Sequence, residues 1–295
     1  MLWAVFTIIA AAAQTARNAM QRELTATLGT VGATHVRFLF GFPFALIFLA
    51  GVCLVTGSGL PMPPREYWPW IAVGLVGQIV ATALMLAAMN DSSFVVTTAY
   101  IKTEPVQTAV FGLVLLGDRL TPMLALAIVI ATTGVVLMAF KPGAVKANGI
   151  KPAVKGIVAG GLFGLSAIGF RGAILSLDIP GQFVLGATFT LAVSLVIQAA
   201  LLSGYLLLRE PATMRAILKA WRPSILAGFL GAFASQFWFL GFSIASAASV
   251  RTLALIEVLF AQGVSKFAFK QKTAPREIIG IAMIIAGVVL LIWAH

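Results

Sequence analysis

Apolar runs on the order of 20 residues recur along the whole chain, among them Trp70 to Met89, Leu120 to Phe140 and Ile278 to Trp293. At a rise of about 1.5 Å per residue, such a run matches a hydrocarbon core of about 30 Å, so these runs read as membrane spans. Lipid cannot satisfy backbone N–H and C=O groups, and the runs lack the alternation of barrel strands. Each is therefore expected to be an α-helix. Composition agrees: 60% of the 295 residues are hydrophobic and 10% charged, whereas a soluble domain carries about 25% charged residues.

A net charge of +11 would suggest a nucleic-acid partner in a soluble protein. Here the Lys and Arg residues sit mostly in short connections between apolar runs, where they set topology, so the expected partner is the lipid bilayer and not nucleic acid. The single cysteine, Cys53, lies inside an expected span and excludes a disulfide framework. With only His35 and His295 beside it, neither a zinc centre nor any other cofactor is expected. The first apolar run, Leu2 to Met20, lacks a basic leader and contains Gln14, Arg17 and Asn18, so it is expected to be a mature helix and not a signal peptide.

Breaking the chain at polar, Gly and Pro clusters predicts helices near 2–21, 32–56, 67–89, 93–116 and 120–140, then 154–176, 181–208, 223–244, 247–270 and 275–293. The longest connection, Lys141 to Lys155, separates two halves, 1–143 and 144–295, and the halves repeat. A shift of 154 places Arg17 on Arg171, Pro69 on Pro223, Gly74 on Gly228 and Gly77 on Gly231. After a one-residue gap, a shift of 153 places Glu104 on Glu257, Pro122 on Pro275 and Gly134 on Gly287. Ordered coincidences of Arg, Pro, Glu and Gly are not expected by chance. Five helices per half is an odd number, so the copies are expected to insert with opposite orientation. The expected fold is an all-α polytopic membrane protein of ten transmembrane helices in two inverted five-helix repeats, the plan of secondary transporters with a site near the midplane.

The segment Thr103-Glu104-Pro105-Val106, running on to Leu116-Gly117-Asp118-Arg119-Leu120-Thr121-Pro122 and then Gly134-Val-Val-Leu, resembles the ten-helix EamA-type permeases of the drug/metabolite transporter superfamily. Within them the chain is most similar to the amino-acid exporters of the YddG type. Asp118 stands where the family usually has Glu; the second half has Val258 where proline is usual, and Lys270-Gln271-Lys272 where Gly-Glu-Arg is usual. The resemblance implies a small-molecule carrier in a cell membrane, the bacterial inner membrane in particular, acting as a monomer or weak dimer. On charge bias, twelve Lys and Arg on one set of connections stand against Arg65 and Arg119 on the other. That puts both termini outside, whereas the family usually keeps them inside.

Ionisable groups at membrane depth cost about 2.5 kcal/mol or more each and normally face a partner or a watery cavity. On the fourth expected helix, Thr97, Tyr100, Glu104, Gln107 and Thr108 fall on one face and Lys102 on another. Two readings of Glu104 stand: a cavity wall, or a structural pin to Lys102 or Arg37. Pro105 frees a carbonyl near residue 101 and is expected to kink the helix. On the first helix Gln14, Arg17, Asn18 and Gln21 share a face, where Arg17 either lines a cavity or snorkels to the interface. Gln78 and Thr82 form a line on the third helix, and Gln236 with Trp238 on the eighth. The candidate substrate cavity is thus Glu104, Tyr100, Gln107, Thr97, Gln78, Thr82, Gln236, Trp238, Gln14 and Arg17.

Glycines in 156–172 lie inside helical runs, which suits close packing and not a phosphate loop. There is no Walker motif, and one cysteine and two histidines supply no Ser/His/Asp or Cys/His set, so no enzyme is expected. The residues suit a zwitterionic amino acid, with Glu104 accepting from its ammonium and Arg17, Gln78 or Gln236 donating to its carboxylate. A drug, nucleotide-sugar or purine carrier of the same fold, or a polar-lined channel, stays open as an alternative.

Overall fold

The computed structural model describes residues 1–91, 97, 100–139, 151–260 and 275–294. Lys141, Lys146, the boundary at 143, Lys270 to Lys272 and His295 lie outside the described residues. So do most of the first turns of the fourth expected helix and the last turns of the ninth.

The described residues form helices joined by short connections, without strands. The helices are α1 (Leu2–Leu39), α2 (Phe42–Thr56), α3 (Tyr67–Asp91), α4 (Glu104–Phe111), α5 (Pro122–Ala139), α6 (Lys151–Ser176), α7 (Phe183–Arg209), α8 (Pro211–Lys219), α9 (Trp221–Ile244), α10 (Ala247–Leu253) and α11 (Pro275–Trp293). A π-helical turn, Gly112–Leu116, continues α4. Among the described residues six segments are long and apolar enough to cross a membrane: Glu23–Thr56, Tyr67–Asp91, Lys151–Ser176, Phe183–Arg209, Trp221–Ile244 and Pro275–Trp293. Glu104–Leu116 and Pro122–Met138 are apolar but shorter.

Two expected connections prove helical, and the second expected helix, 32–56, is interrupted by a turn at Phe40 and Gly41. The connection expected at 22–31 is helical except at Gly29, whose φ of 67° and ψ of 177° only glycine adopts readily. Glu23, Leu24, Ala26 and Leu28 form helix well enough to close the gap, and Gln21 Nε2 donates across the break to the Ala33 carbonyl at 3.0 Å. The second difference is α8, in a connection expected to be irregular. Pro211 starts it at a position where no N–H is needed, and its apolar Met214 and Ile217 are buried.

The chain divides into two compact units, each drawing on both halves of the sequence. One is Met1–Ile79 with Gly169–Ile244; the other is Val80–Ile168 with Ala245–His295. In the first unit α9 packs along α1, and α7 packs on α1, α2 and α9.

In the second unit α5 packs along α11. A Cβ on Gly134 would lie 2.7 Å from the Gly280 carbonyl and 3.1 Å from Ile284, while one on Gly287 would lie 2.8 Å from the Ala127 carbonyl and 2.7 Å from Ala131. The shift of 153 carries Gly134 to Gly287, Ala127 to Gly280 and Ala131 to Ile284. The contacts are therefore reciprocal, as in a two-fold interface. Residue numbers rise on one helix as they fall on the other, so these sequence-equivalent helices run antiparallel.

Candidate functional site

The second unit holds Thr82, Thr97, Tyr100, Glu104 and Gln107. Residues 102–103 form a turn that breaks the helix just before Glu104, and Pro105 explains the break: it has no N–H to give the carbonyl of Ile101. That carbonyl faces α6 at Gly160, where an added Cβ would sit 2.6 Å from it. Gly156 makes the same close approach to Tyr100, and Gly164 to the Thr108 hydroxyl. The glycines at four-residue spacing therefore form the seat on which the broken helix lies. A second break, at Ala254–Leu255, comes just before Glu257 and within one residue of the repeat-equivalent place. No proline causes it; the N–H groups of Leu255, Glu257 and Val258 each bond three residues back.

The two breaks carry crossed ion pairs. Arg251 Nε lies 2.9 Å from Glu104 Oε1, and Lys102 pairs with Glu257. All four side chains are buried. Each glutamate thus takes its cation from the other half of the sequence. Sequence reasoning raised the pin reading of Glu104 with Lys102 or Arg37 as partner; the partner in the structure is Arg251, and Lys102, on its own face of the helix, serves Glu257. Gln107 Nε2 donates to Thr103 Oγ1 at 3.1 Å and to the Ile157 carbonyl at 3.3 Å. Thr97 Oγ1 donates to the Ala88 carbonyl, Tyr100 is half-buried and Thr82 fully buried.

The first unit holds Gln14, Arg17, Gln78, Gln236 and Trp238. Trp238 Nε1 donates to Gln14 Oε1 at 3.0 Å, joining α9 to α1. Gln236 Nε2 donates to Thr188 Oγ1 on α7 at 2.8 Å. Gln198 Nε2 donates both to Gln78 Oε1 at 3.0 Å and to the Leu75 carbonyl at 3.1 Å. Arg17 does not snorkel: it is 2% exposed, and its guanidinium donates to Asn18 Oδ1 at 2.6 Å. Arg37 reaches Ser235 Oγ at 3.3 Å, and its stem lies with that of Arg17 against Gly231. Arg171 donates to the Phe242 carbonyl at 2.6 Å.

Sequence reasoning missed α7 as a source of polar groups. Thr190, Ser194 and Gln198 are buried at four-residue spacing, a signal that was present in the sequence. His35, buried and 3.0 Å from Ser203 Oγ, belongs to the same first unit. Chemically these groups offer amide and hydroxyl dipoles with arginine charge, in helices otherwise apolar. Among the described residues no group of His, Cys, Asp and Glu side chains could hold a metal ion.

No curated protein matches the sequence. A solved crystal structure of another protein superposes with a TM-score of 0.67 at 16% identity, covering 99% of this chain and 99% of that one; at that identity the likeness is one of fold. The first 140 residues of this all-helical chain match the EamA-like transporter family, a family of membrane transporters.

Proposed function

We propose that the chain is a secondary carrier of EamA type that exports amino acids or similar small polar metabolites by alternating access. Its working parts are two inverted repeats, 1–143 and 144–295, together making ten spans. The observation that carries this reading is the antiparallel, reciprocal packing of α5 on α11, since equivalent helices of oppositely inserted repeats meet in that way. The paired breaks before Glu104 and Glu257 support it further, because interrupted helices are where such carriers keep their functional groups. On charge bias both termini lie outside.

The substrate carboxylate is met by Arg17, Gln78 and Gln236, and Trp238 with Gln14 packs against the side chain. Glu104 is the acceptor proposed for a substrate ammonium, exchanging Arg251 for it in one state of the cycle; Tyr100, Thr97, Gln107 and Thr82 are the further polar candidates of its own unit. Uptake of labelled amino acids by counterflow into proteoliposomes tests the reading. Saturable counterflow without unitary current is expected, reduced by Glu104→Gln. Undiminished flux in that variant removes Glu104 from the site, and a unitary current replaces the carrier by a channel.

A further inference from the structure

The short helix α8 lies outside everything the transport reading uses. Arg215 and Lys219, four residues apart, share one of its faces, while Met214 and Ile217 face inward and are buried. Gly32 permits this docking: a Cβ there would lie 3.1 Å from Thr213 and 3.8 Å from Ile217. The helix therefore sits over the kink of α1 at Gly29, and two hollows that share Thr27, Leu28 and Ala216 open along the contact.

The larger hollow, about 550 Å³, has an apolar wall of Met20, Leu24 and Leu28 from α1, faced by Ala216 of α8. Lys219 and Glu23 are its charged lining residues. Close by in the chain, Arg215 lies one turn before Lys219 on α8, Arg222, stacked over the Trp221 ring at 5.4 Å, directly precedes the lining Pro223, and Arg209 ends α7 just before α8 begins. Residues 209–223 thus carry four cations against one carboxylate, Glu210. Trp221, Leu208 and Leu218 are 49%, 84% and 53% exposed, which is the pattern of an interfacial helix with an aromatic anchor.

We propose that this groove seats an anionic phospholipid, its acyl chain along Leu24, Leu28 and Ala216 and its phosphodiester among Arg215, Lys219 and Arg222. Complementary charge selects the occupant: a basic cluster at the bilayer interface draws anionic headgroups, by about fivefold in affinity per cation, while the apolar wall suits a lipid tail and not a free ion. This connection also belongs to the cation-rich side of the chain, so its charges add to a field already positive.

Native mass spectrometry of the full chain in detergent, titrated with phosphatidylglycerol or phosphatidylcholine, tests the proposal. The unmodified chain is expected to retain phosphatidylglycerol preferentially. The triple variant Arg215→Gln, Lys219→Gln, Arg222→Gln should bind it about a hundredfold more weakly while its phosphatidylcholine binding stays the same. Ala216→Trp, which fills the hollow and keeps every charge, should weaken it as well. Equal retention of the two lipids, unchanged retention by the triple variant, or displacement of the lipid by inorganic phosphate beyond what chloride at the same ionic strength causes would overturn the proposal. A salt series on the unmodified chain gives an answer even where a variant fails to fold: phosphatidylglycerol retention must fall with salt, and a flat series sinks the idea. None of these readouts depends on transport.

Discussion

Arg251 Nε stands 2.9 Å from Glu104 Oε1, with both side chains less than a tenth exposed, and the neighbouring Glu257 is served in the same way by Lys102. Taken out of water, such a pair contributes little net stability, because the attraction between the charges mostly offsets their desolvation. Removing one member is a different matter, since it leaves the other charge buried alone. Arg251→Gln should therefore destabilise the protein by about 3–5 kcal/mol, while the double variant Arg251→Gln with Glu104→Gln recovers most of that loss. Thermal unfolding of the four forms in detergent measures it. Additive losses in the double variant would mean that the two residues are not coupled.

The packing of α5 on α11 makes a symmetric prediction. Gly134→Ala places a methyl group 2.7 Å from the Gly280 carbonyl, and Gly287→Ala places one 2.8 Å from the Ala127 carbonyl. Both obstacles are backbone and cannot rotate away. Each substitution should cost about 1–3 kcal/mol, and the two costs should be similar. Gly51→Ala is the control: nothing lies within 4 Å of its added Cβ and it sits inside α2, so it should stabilise by about 0.5–1 kcal/mol. Unfolding midpoints that ranked Gly51→Ala with the other two would contradict the packing described.

What the sequence could disclose follows from how local each cause is. Segments such as Tyr67–Asp91 and Pro275–Trp293, long and apolar enough to cross a membrane, were legible because hydrocarbon thickness acts on every residue of a run alike. The break before Glu104 was legible because Pro105 causes it within the same turn. Its counterpart at Ala254–Leu255 was not, since Val258 stands where a proline would have marked it. The partner of Glu104 was out of reach for a further reason: Arg251 lies in the other half of the chain, and only folding decides which of the buried cations comes to the carboxylate. The α8 helix was hidden by its Arg, Lys and Pro residues, which signal a connection unless the four-residue spacing of Arg215 and Lys219 is weighed against the buried face of Met214 and Ile217. Gln14 and Trp238 were both singled out, but their mutual hydrogen bond joins two helices whose approach no local pattern encodes.

That hydrogen bond carries a prediction of its own. Trp238 is 3% exposed, so Gln14→Leu strips its indole N–H of the acceptor 3.0 Å away. An orphaned donor in such a place costs about 1–3 kcal/mol. Trp238→Phe, which removes the donor, should be milder in the Gln14→Leu background than in the unmodified chain. A double-mutant cycle by thermal unfolding checks this, and a coupling energy of zero would leave the indole as a packing residue only.

Arg17 offers the sharpest separation of transport from stability. It is buried in helix α1 beside Asn18 and shares the surface of Gly231 with Arg37, so its charge acts in a medium that screens little. If it receives the substrate carboxylate, its contribution appears only with substrates that have one. A charged hydrogen bond is worth about 1.5–3 kcal/mol, which corresponds to about a ten- to hundredfold change in affinity. In counterflow competition the unmodified protein should prefer an amino acid to its amide by about that factor, and Arg17→Gln should bring the two together by weakening the amino acid alone. A variant that weakens both equally would show a structural arginine, and one that alters neither would move the carboxylate subsite elsewhere.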